Sequence, residues 1–184
     1  MIKVHFKDIR PKIIKEIGSA KKTIRVAVYW FTNHELLDSI MLKLKKGVKV
    51  TLIIHNDYIN NRETGLDFQS FIEAGGNFFF SDNYNPMHNK FCIVDEKILI
   101  NGSYNWTYYA ETRNSENILI IKREKAVIRA FIEEFDRIIS YSEQVEKIVP
   151  LKKLEINDSK MLGTREYLAR EMIYQAKSQN KIEI

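Results

Sequence analysis

Residues 88–105 read HNKFCIVDEKILINGSYN and place a histidine, a lysine, an aspartate, a glycine, a serine and an asparagine in one short stretch. On an extended strand, side chains two apart share a face, so His88 and Lys90 point into the same space. A turn at Asp95-Glu96-Lys97 folds the next strand back alongside. Ser103 and Asn105, again two apart, then reach that space from the neighbouring strand. This convergence suits a phosphorus centre. A neutral imidazole can attack phosphorus, while an ammonium, a hydroxyl and an amide hold the non-bridging oxygens as negative charge grows on them. A metal site requires a cluster of carboxylates or histidines. Around His88 the sequence supplies lysine, an amide and a hydroxyl instead, so neither a metal nor another cofactor is expected.

Hydrophobic periodicity outlines the elements that position these groups. Ile9, Ile13, Ile14 and Ile17 fall at helical spacing opposite Lys12, Lys15 and Glu16. A strand is expected at 23–29, a helix at 34–46 ended by Gly47, and a strand at 48–55. This β-α-β unit favours a parallel sheet with helices on its faces. A polar loop at 57–65 leads to a short helix at 68–74, stopped by Gly75 and Gly76, and a strand at 77–81. Closely spaced strands follow at 90–94, 98–101 and 117–121. Residues 124–141 form a helix with Val127, Ile128, Phe131, Ile132, Phe135 and Ile138 on its apolar side. Pro150 breaks the pattern. Beyond it, 151–163 is charged and irregular, and 164–179 is helical with Thr164 as N-cap. The expected architecture is α/β: a mixed, largely parallel sheet flanked by helices. A catalytic domain spans 1–149, and a partly helical extension for assembly or partner docking spans 150–184.

At 184 residues, with 45% hydrophobic content, the chain is sufficient for a buried core and is not a disordered tail. Its 29 lysines and arginines exceed its 24 aspartates and glutamates, giving a formal charge of +5 that favours polyanionic partners such as nucleic acid or anionic lipid. The single cysteine, Cys92, lies in an apolar run and reads as a buried strand residue. The first fifteen residues lack the apolar core of a leader, and no stretch approaches the length of a bilayer-crossing segment, so a cytoplasmic location is expected.

The stretch from His88 to Asn105 fits His-x-Lys-(x)4-Asp-(x)6-Gly-Ser-x-Asn, the signature of the phospholipase D superfamily, at every specified position. Six such matches have a chance on the order of 10⁻⁸ per starting position. The resemblance continues through Ala110, Asn114 and Glu116. More loosely it takes in the chain up to about residue 140, including Ala27-Val28-Tyr29-Trp30-Phe31-Thr32 after the first helix. The region from Pro150 lies outside it.

The resemblance implies a phospholipase D-like fold and a phosphohistidine formed on His88. It implies that Lys90 and Asn105 grip the phosphate, that Ser103 supports them by hydrogen bonding, and that Glu116 holds the catalytic imidazole in one tautomer. Asp95 belongs to the signature without being the attacking group, and its place at a turn agrees with a structural role. The reaction also needs a second proton-transfer group for the leaving oxygen. Only one complete motif is present: His5-Phe6-Lys7 repeats two of its letters, and His34 and His55 read as ordinary surface or helix-end histidines. Single-motif relatives solve this by pairing two chains, so a homodimer is expected.

The expected activity is that of a metal-independent endonuclease acting on DNA or RNA. The alternatives are a lipid phosphodiesterase and a non-catalytic nucleic-acid scaffold on the same fold. Trp30, Phe31 and Trp106, with Tyr29, Tyr108 and Tyr109, flank the motifs and are candidates for stacking on bases. The lysines Lys43, Lys45, Lys46 and Lys49 are candidates for phosphate contacts.

Overall fold

The structure is a computed structural model that describes residues 1–81 and 86–152. Along the chain run β1 (Ile2–His5), α1 (Ile9–Gly18), β2 (Thr23–Val28), α2 (His34–Leu44), β3 (Lys49–His55), α3 (Phe68–Glu73), β4 (Asn77–Ser81), β5 (Lys90–Val94), β6 (Ile98–Gly102), α4 (Tyr108–Thr112), β7 (Ile118–Lys122), α5 (Lys125–Ile139) and β8 (Glu143–Gln144). Helix α2 starts where the side chain of Asn33 accepts a hydrogen bond from the Leu36 amide at 3.2 Å, which satisfies one of the free N–H groups of its first turn. The chain leaves α2 through Gly47, whose φ of 82° is open to glycine without strain. Residues 34–55 thereby return as a strand parallel to β2.

The strands form one sheet in the order β1-β7-β6-β5-β2-β3-β4-β8. The sheet is mixed, as expected, but parallel pairing is confined among the described residues to β2–β3 and β3–β4. The expectation of a largely parallel sheet holds for that part alone. The reason is connection length: β5 and β6 are joined by a three-residue turn, which reverses the chain and cannot supply the crossover that parallel neighbours need. Most expected boundaries agree with the observed ones to within one or two residues. The short elements β1, α4 and β8 were not anticipated, since each is too brief for periodicity to register.

Period-2 alternation divides the sheet between two layers of helix. Ile24, Val26, Val28, Leu52 and Ile54 point to one face and bury against Ile13 and Ile17 of α1 and Leu36 and Ile40 of α2. Ala27, Ile53, Phe91, Ile93 and Leu99 point to the other and are covered by Ile128, Phe135 and Ile138 of α5. Cys92 is fully buried in the first layer, as its apolar setting implies, and burial pushes its thiol pKa up. Each fully buried side chain of this size contributes roughly 1.5–3 kcal/mol. The two cores therefore make the sheet a rigid platform for whatever lies at its ends.

The chain stays tied to the domain beyond α5. Strand β8 pairs antiparallel with β4. The Ile148 amide donates to Gln69 Oε1 at 2.9 Å, and Asn61 bridges the segment by donating to the Val149 carbonyl at 3.1 Å and accepting from the Leu151 amide at 2.7 Å. These contacts fall on both sides of Pro150. The helix expected at 164–179 lies outside the described residues. Among the described residues, no helix is long and apolar enough to cross a membrane.

Candidate active site

The motif occupies a hairpin and the loops at one end of the sheet. Strand β5 begins at Lys90, which pairs with Val28 at the end of β2. His88 lies two residues earlier, exposed, with its carbonyl accepting a hydrogen bond from Lys90 Nζ at 2.8 Å. At the far end of β5 the chain turns through Asp95 and Glu96, with φ of 52° and 54°, and the Lys97 amide donates to the Val94 carbonyl at 3.0 Å. Two successive left-handed residues match the twist of an antiparallel hairpin. The Asp95 carboxylate accepts the backbone amides of Lys21, Lys22 and Thr23 at 2.8, 2.7 and 2.9 Å. Asp95 therefore clamps the hairpin to the start of β2, a strand length away from His88.

Strand β6 carries the second half of the motif back. Gly102 passes so close to β7 that a Cβ on it would lie 2.1 Å from the Asn117 carbonyl oxygen, so no other residue fits without moving the backbone. Ser103 follows, and its hydroxyl donates to Glu116 and accepts from the Asn117 amide at 3.1 Å. The other carboxylate oxygen of Glu116 accepts from Asn114 Nδ2 at 2.8 Å. Among the described residues, the hydrogen bonds of Glu116 thus go to Ser103 and Asn114, and none goes to His88. Asn105 reaches the end of β2: its Oδ1 accepts from the Trp30 amide at 3.3 Å, which directs its NH₂ away from that contact. The Trp106 amide donates to the Trp30 carbonyl at 2.9 Å, so the loops after β2 and β6 are laced together.

Beside the motif stands a cluster in which Tyr29, a candidate for stacking on bases, packs between two histidines instead. The Tyr29 ring lies edge-on to His88 at 4.7 Å and stacks on its other side against His55 at 4.5 Å, with Lys90 Nζ 5.6 Å from its centre. His55 is buried at the end of β3, with Nδ1 3.4 Å from Ser81 Oγ. It is not the surface or helix-end histidine expected. The buried Asn60 holds this arrangement by donating to the carbonyls of Tyr29 and His55, each at 2.7 Å. The signal was available in outline, since the carboxyl ends of parallel strands are where α/β sheets gather ligands.

The electrostatics follow from the packing. Desolvation, with the positive charges of Lys90 and His55, lowers the pKa of His88, which favours the neutral imidazole. Burial pushes Lys90 down to about 8, while the negative charge of Glu116 works the other way. The low dielectric around Lys90 also strengthens its attraction for any anion placed beside it.

Three expectations need correction. Phe31 and Trp106 are buried and pack edge to face with centroids 5.0 Å apart, so they are core residues rather than a stacking surface. Trp30 is partly exposed but donates its Nε1 to Asp57 at 2.7 Å, leaving a ring whose edge is already engaged. The lysines Lys43, Lys45, Lys46 and Lys49 lie where α2 ends and β3 begins, at the opposite end of the sheet from His88. Lys43 there caps α1 by donating to the Gly18 carbonyl at 2.9 Å.

The fold and this arrangement of residues are those of the phospholipase D superfamily. The chain belongs to that superfamily: residues 13–139 match the family described as cardiolipin synthase, PLD-like domain. Among curated relatives, the mitochondrial cardiolipin hydrolase of Chlamydomonas reinhardtii is 34% identical over 127 residues, covering 69% of this chain and 56% of that protein. The human protein of the same name is 32% identical over 136 residues, covering 73% of this chain and 52% of that protein. The chain thus spans about half the length of these relatives. Among solved structures, Nuc from Salmonella typhimurium, a phospholipase D family member, superposes with a TM-score of 0.70 at 26% identity, covering 80% of this chain and 99% of that one. Phosphatidylserine synthase of Haemophilus influenzae, at 16% identity and a TM-score of 0.66 over 95% of this chain and 46% of that one, shares the fold.

Proposed function

We propose that the chain hydrolyses a lipid phosphodiester of the cardiolipin type, through a covalent phosphohistidine on His88 in a site completed by a second copy of the chain. The observation that carries the chemistry is the joining of His88, Lys90, Ser103, Asn105 and Glu116 at one end of a rigid sheet; the reaction uses one copy of His88 neutral, as nucleophile, and the other protonated, as acid. An imidazole nitrogen of His88 bonds to phosphorus as the bond to the leaving oxygen breaks, and that oxygen takes a proton from His88 of the other chain. Water then attacks the phosphohistidine and gives its proton to that second imidazole, which restores both residues. The ammonium of Lys90 and the NH₂ of Asn105 hold the non-bridging oxygens. Ser103 fixes Glu116. The engagement of Glu116 with Ser103 and Asn114 supports a two-chain site, because no described residue of its own chain gives the His88 imidazole an acidic partner.

The lipid reading is supported by the names of the relatives at 31–34% identity, and it takes precedence over the nuclease expected from sequence. Nucleic acid is the second reading, favoured by the likeness to Nuc over nearly all of that chain and by the formal charge of +5. The deciding experiment incubates the protein and His88→Ala with cardiolipin vesicles, single- and double-stranded DNA, and RNA, each in EDTA. His88-dependent release of phosphatidic acid is expected. Cleavage of nucleic acid alone would replace the first reading with the second. Activity that vanishes on chelation and returns with magnesium would overturn the mechanism.

A further inference from the structure

Strand β1 is one edge of the sheet, and its surface is unlike that of the other described residues. Of the eight large apolar side chains that stay exposed among the described residues, four lie in the first six positions: Met1, Ile2, Val4 and Phe6. Ile2, Val4 and Phe6 alternate onto one side of the strand with exposures of 60, 52 and 68%. The register sets Ile2 opposite Ile121 and Val4 opposite Leu119, so they extend the apolar face of the sheet past the cover of α5.

The other side of the same strand is basic. Lys3 and His5 line a cavity of about 310 Å³ with Lys12, Lys15 and Lys122. The one carboxylate among its described lining residues, Glu16, is buried and already paired with Lys122 at 2.6 Å. Lys7 adds a further cation just beyond the strand. Among the described residues, Lys3, Lys7 and Lys15 have no ion-pair partner, and Lys12 has only the exposed Asp8 at 3.9 Å. Strand β1 runs in the same direction as β2, and His5 aligns with Ile118, which aligns with Gly102. Phe6 and Lys7 therefore lie at the site end of the sheet, three strands from Lys90, or about 14 Å at the usual spacing.

We propose that this corner, formed by β1 and the start of α1, is a docking surface for an anionic lipid bilayer. Exposed aliphatic and aromatic side chains beside unpaired lysines match both parts of such a surface. The apolar groups enter the acyl boundary, and the ammonium groups stay among the anionic headgroups. A nucleic acid backbone would use the lysines and leave Ile2 and Val4 in water. Pairing with a second copy along the edge is opposed by the brevity of β1 and by Lys3 and Lys7, which would meet their own counterparts across a two-fold axis. The proposal deepens the lipid reading and rests on it for its purpose: docking here sets the site end of the sheet beside the membrane that holds the substrate.

The test is co-sedimentation of the full chain with vesicles of phosphatidylcholine alone and of phosphatidylcholine mixed with phosphatidylglycerol, at low and high salt. Each variant is also assayed on bis(p-nitrophenyl) phosphate, a soluble diester that needs no membrane. The wild-type chain is expected to bind the mixed vesicles only, and less in salt. Lys7→Ala should weaken binding about fivefold, and Phe6→Ser about tenfold. Both variants should melt at the wild-type temperature and hydrolyse the soluble diester at the wild-type rate, while His88→Ala should bind vesicles normally. Equal binding to both vesicle types, or variants that bind as well as wild type, overturns the proposal. So does light scattering that shows a dimer lost in Phe6→Ser without vesicle binding, which would assign the patch to a second copy. DNA binding lost in Lys7→Ala without vesicle binding likewise overturns it in favour of nucleic acid. A wild-type chain that binds vesicles but leaves every diester intact would refute the proposed reaction and leave the docking surface standing.

Discussion

Asp95 belongs to the motif yet sits a strand length from His88, so replacing it should damage the fold and spare the chemistry. Its carboxylate accepts three amides at 2.7–2.9 Å. Bonds to a charged acceptor contribute about 1.5–3 kcal/mol each when buried, and less here because water can reach Lys21 and Lys22. Asp95→Ala also places a Cβ-bearing residue without a local hydrogen bond at φ 52°, which costs about 1 kcal/mol. The expected loss for Asp95→Ala is about 3 kcal/mol, read as a fall of roughly 1 M in the urea midpoint. Asp95→Asn keeps one acceptor and tolerates the left-handed backbone, so it should lose about half as much. Burial works to raise the Asp95 pKa, but the amides of Thr23, Lys22 and Lys21 with the Lys97 charge outweigh it and hold the carboxyl below its usual value. Its stabilising effect is therefore present above about pH 4 and is lost as pH falls through the folded-state value, so the gap between wild type and Asp95→Asn should close in acid. Folded Asp95→Asn should hydrolyse a soluble diester at the wild-type rate. A variant as stable as wild type, or one that stays stable but is as inactive as His88→Ala, would refute this reasoning.

The pH profile of kcat/KM should be bell-shaped. Activity should rise as the attacking His88 loses its proton and fall as the acid His88 of the other chain and then Lys90, near 8, lose theirs, so Lys90→Arg should keep an alkaline limb set by the histidine alone. Mixing wild-type and His88→Ala chains under subunit exchange should lower activity as the square of the wild-type fraction if the site is shared. A linear fall, with mixed dimers shown to form, would mean that each chain works alone. A chain ending at residue 152 keeps both contacts to Asn61 and should fold with the wild-type melting temperature. A chain ending at residue 142 loses β8 and should be less stable by about 2 kcal/mol. If the chain ending at 152 is molten, residues 153–184 belong to the core.

The reacting groups were legible because their relations are local. His88 and Lys90, and Ser103 and Asn105, are two residues apart, and the Asp95 turn joins their strands within eighteen residues, so covalent geometry and strand period alone bring them near one another. The same local rules outlined α1, α2, α5 and the long strands, whose apolar spacing repeats often enough to be read. What the sequence could not decide was which element lies beside which. That β1 neighbours β7, that His55 backs Tyr29, that Phe31 and Trp106 face each other inside the core and that the lysines after α2 face away from the site all depend on strand order and direction. Those are set by the packing of both sheet faces at once, through contacts between residues far apart in the chain, and no local pattern of residue types encodes them.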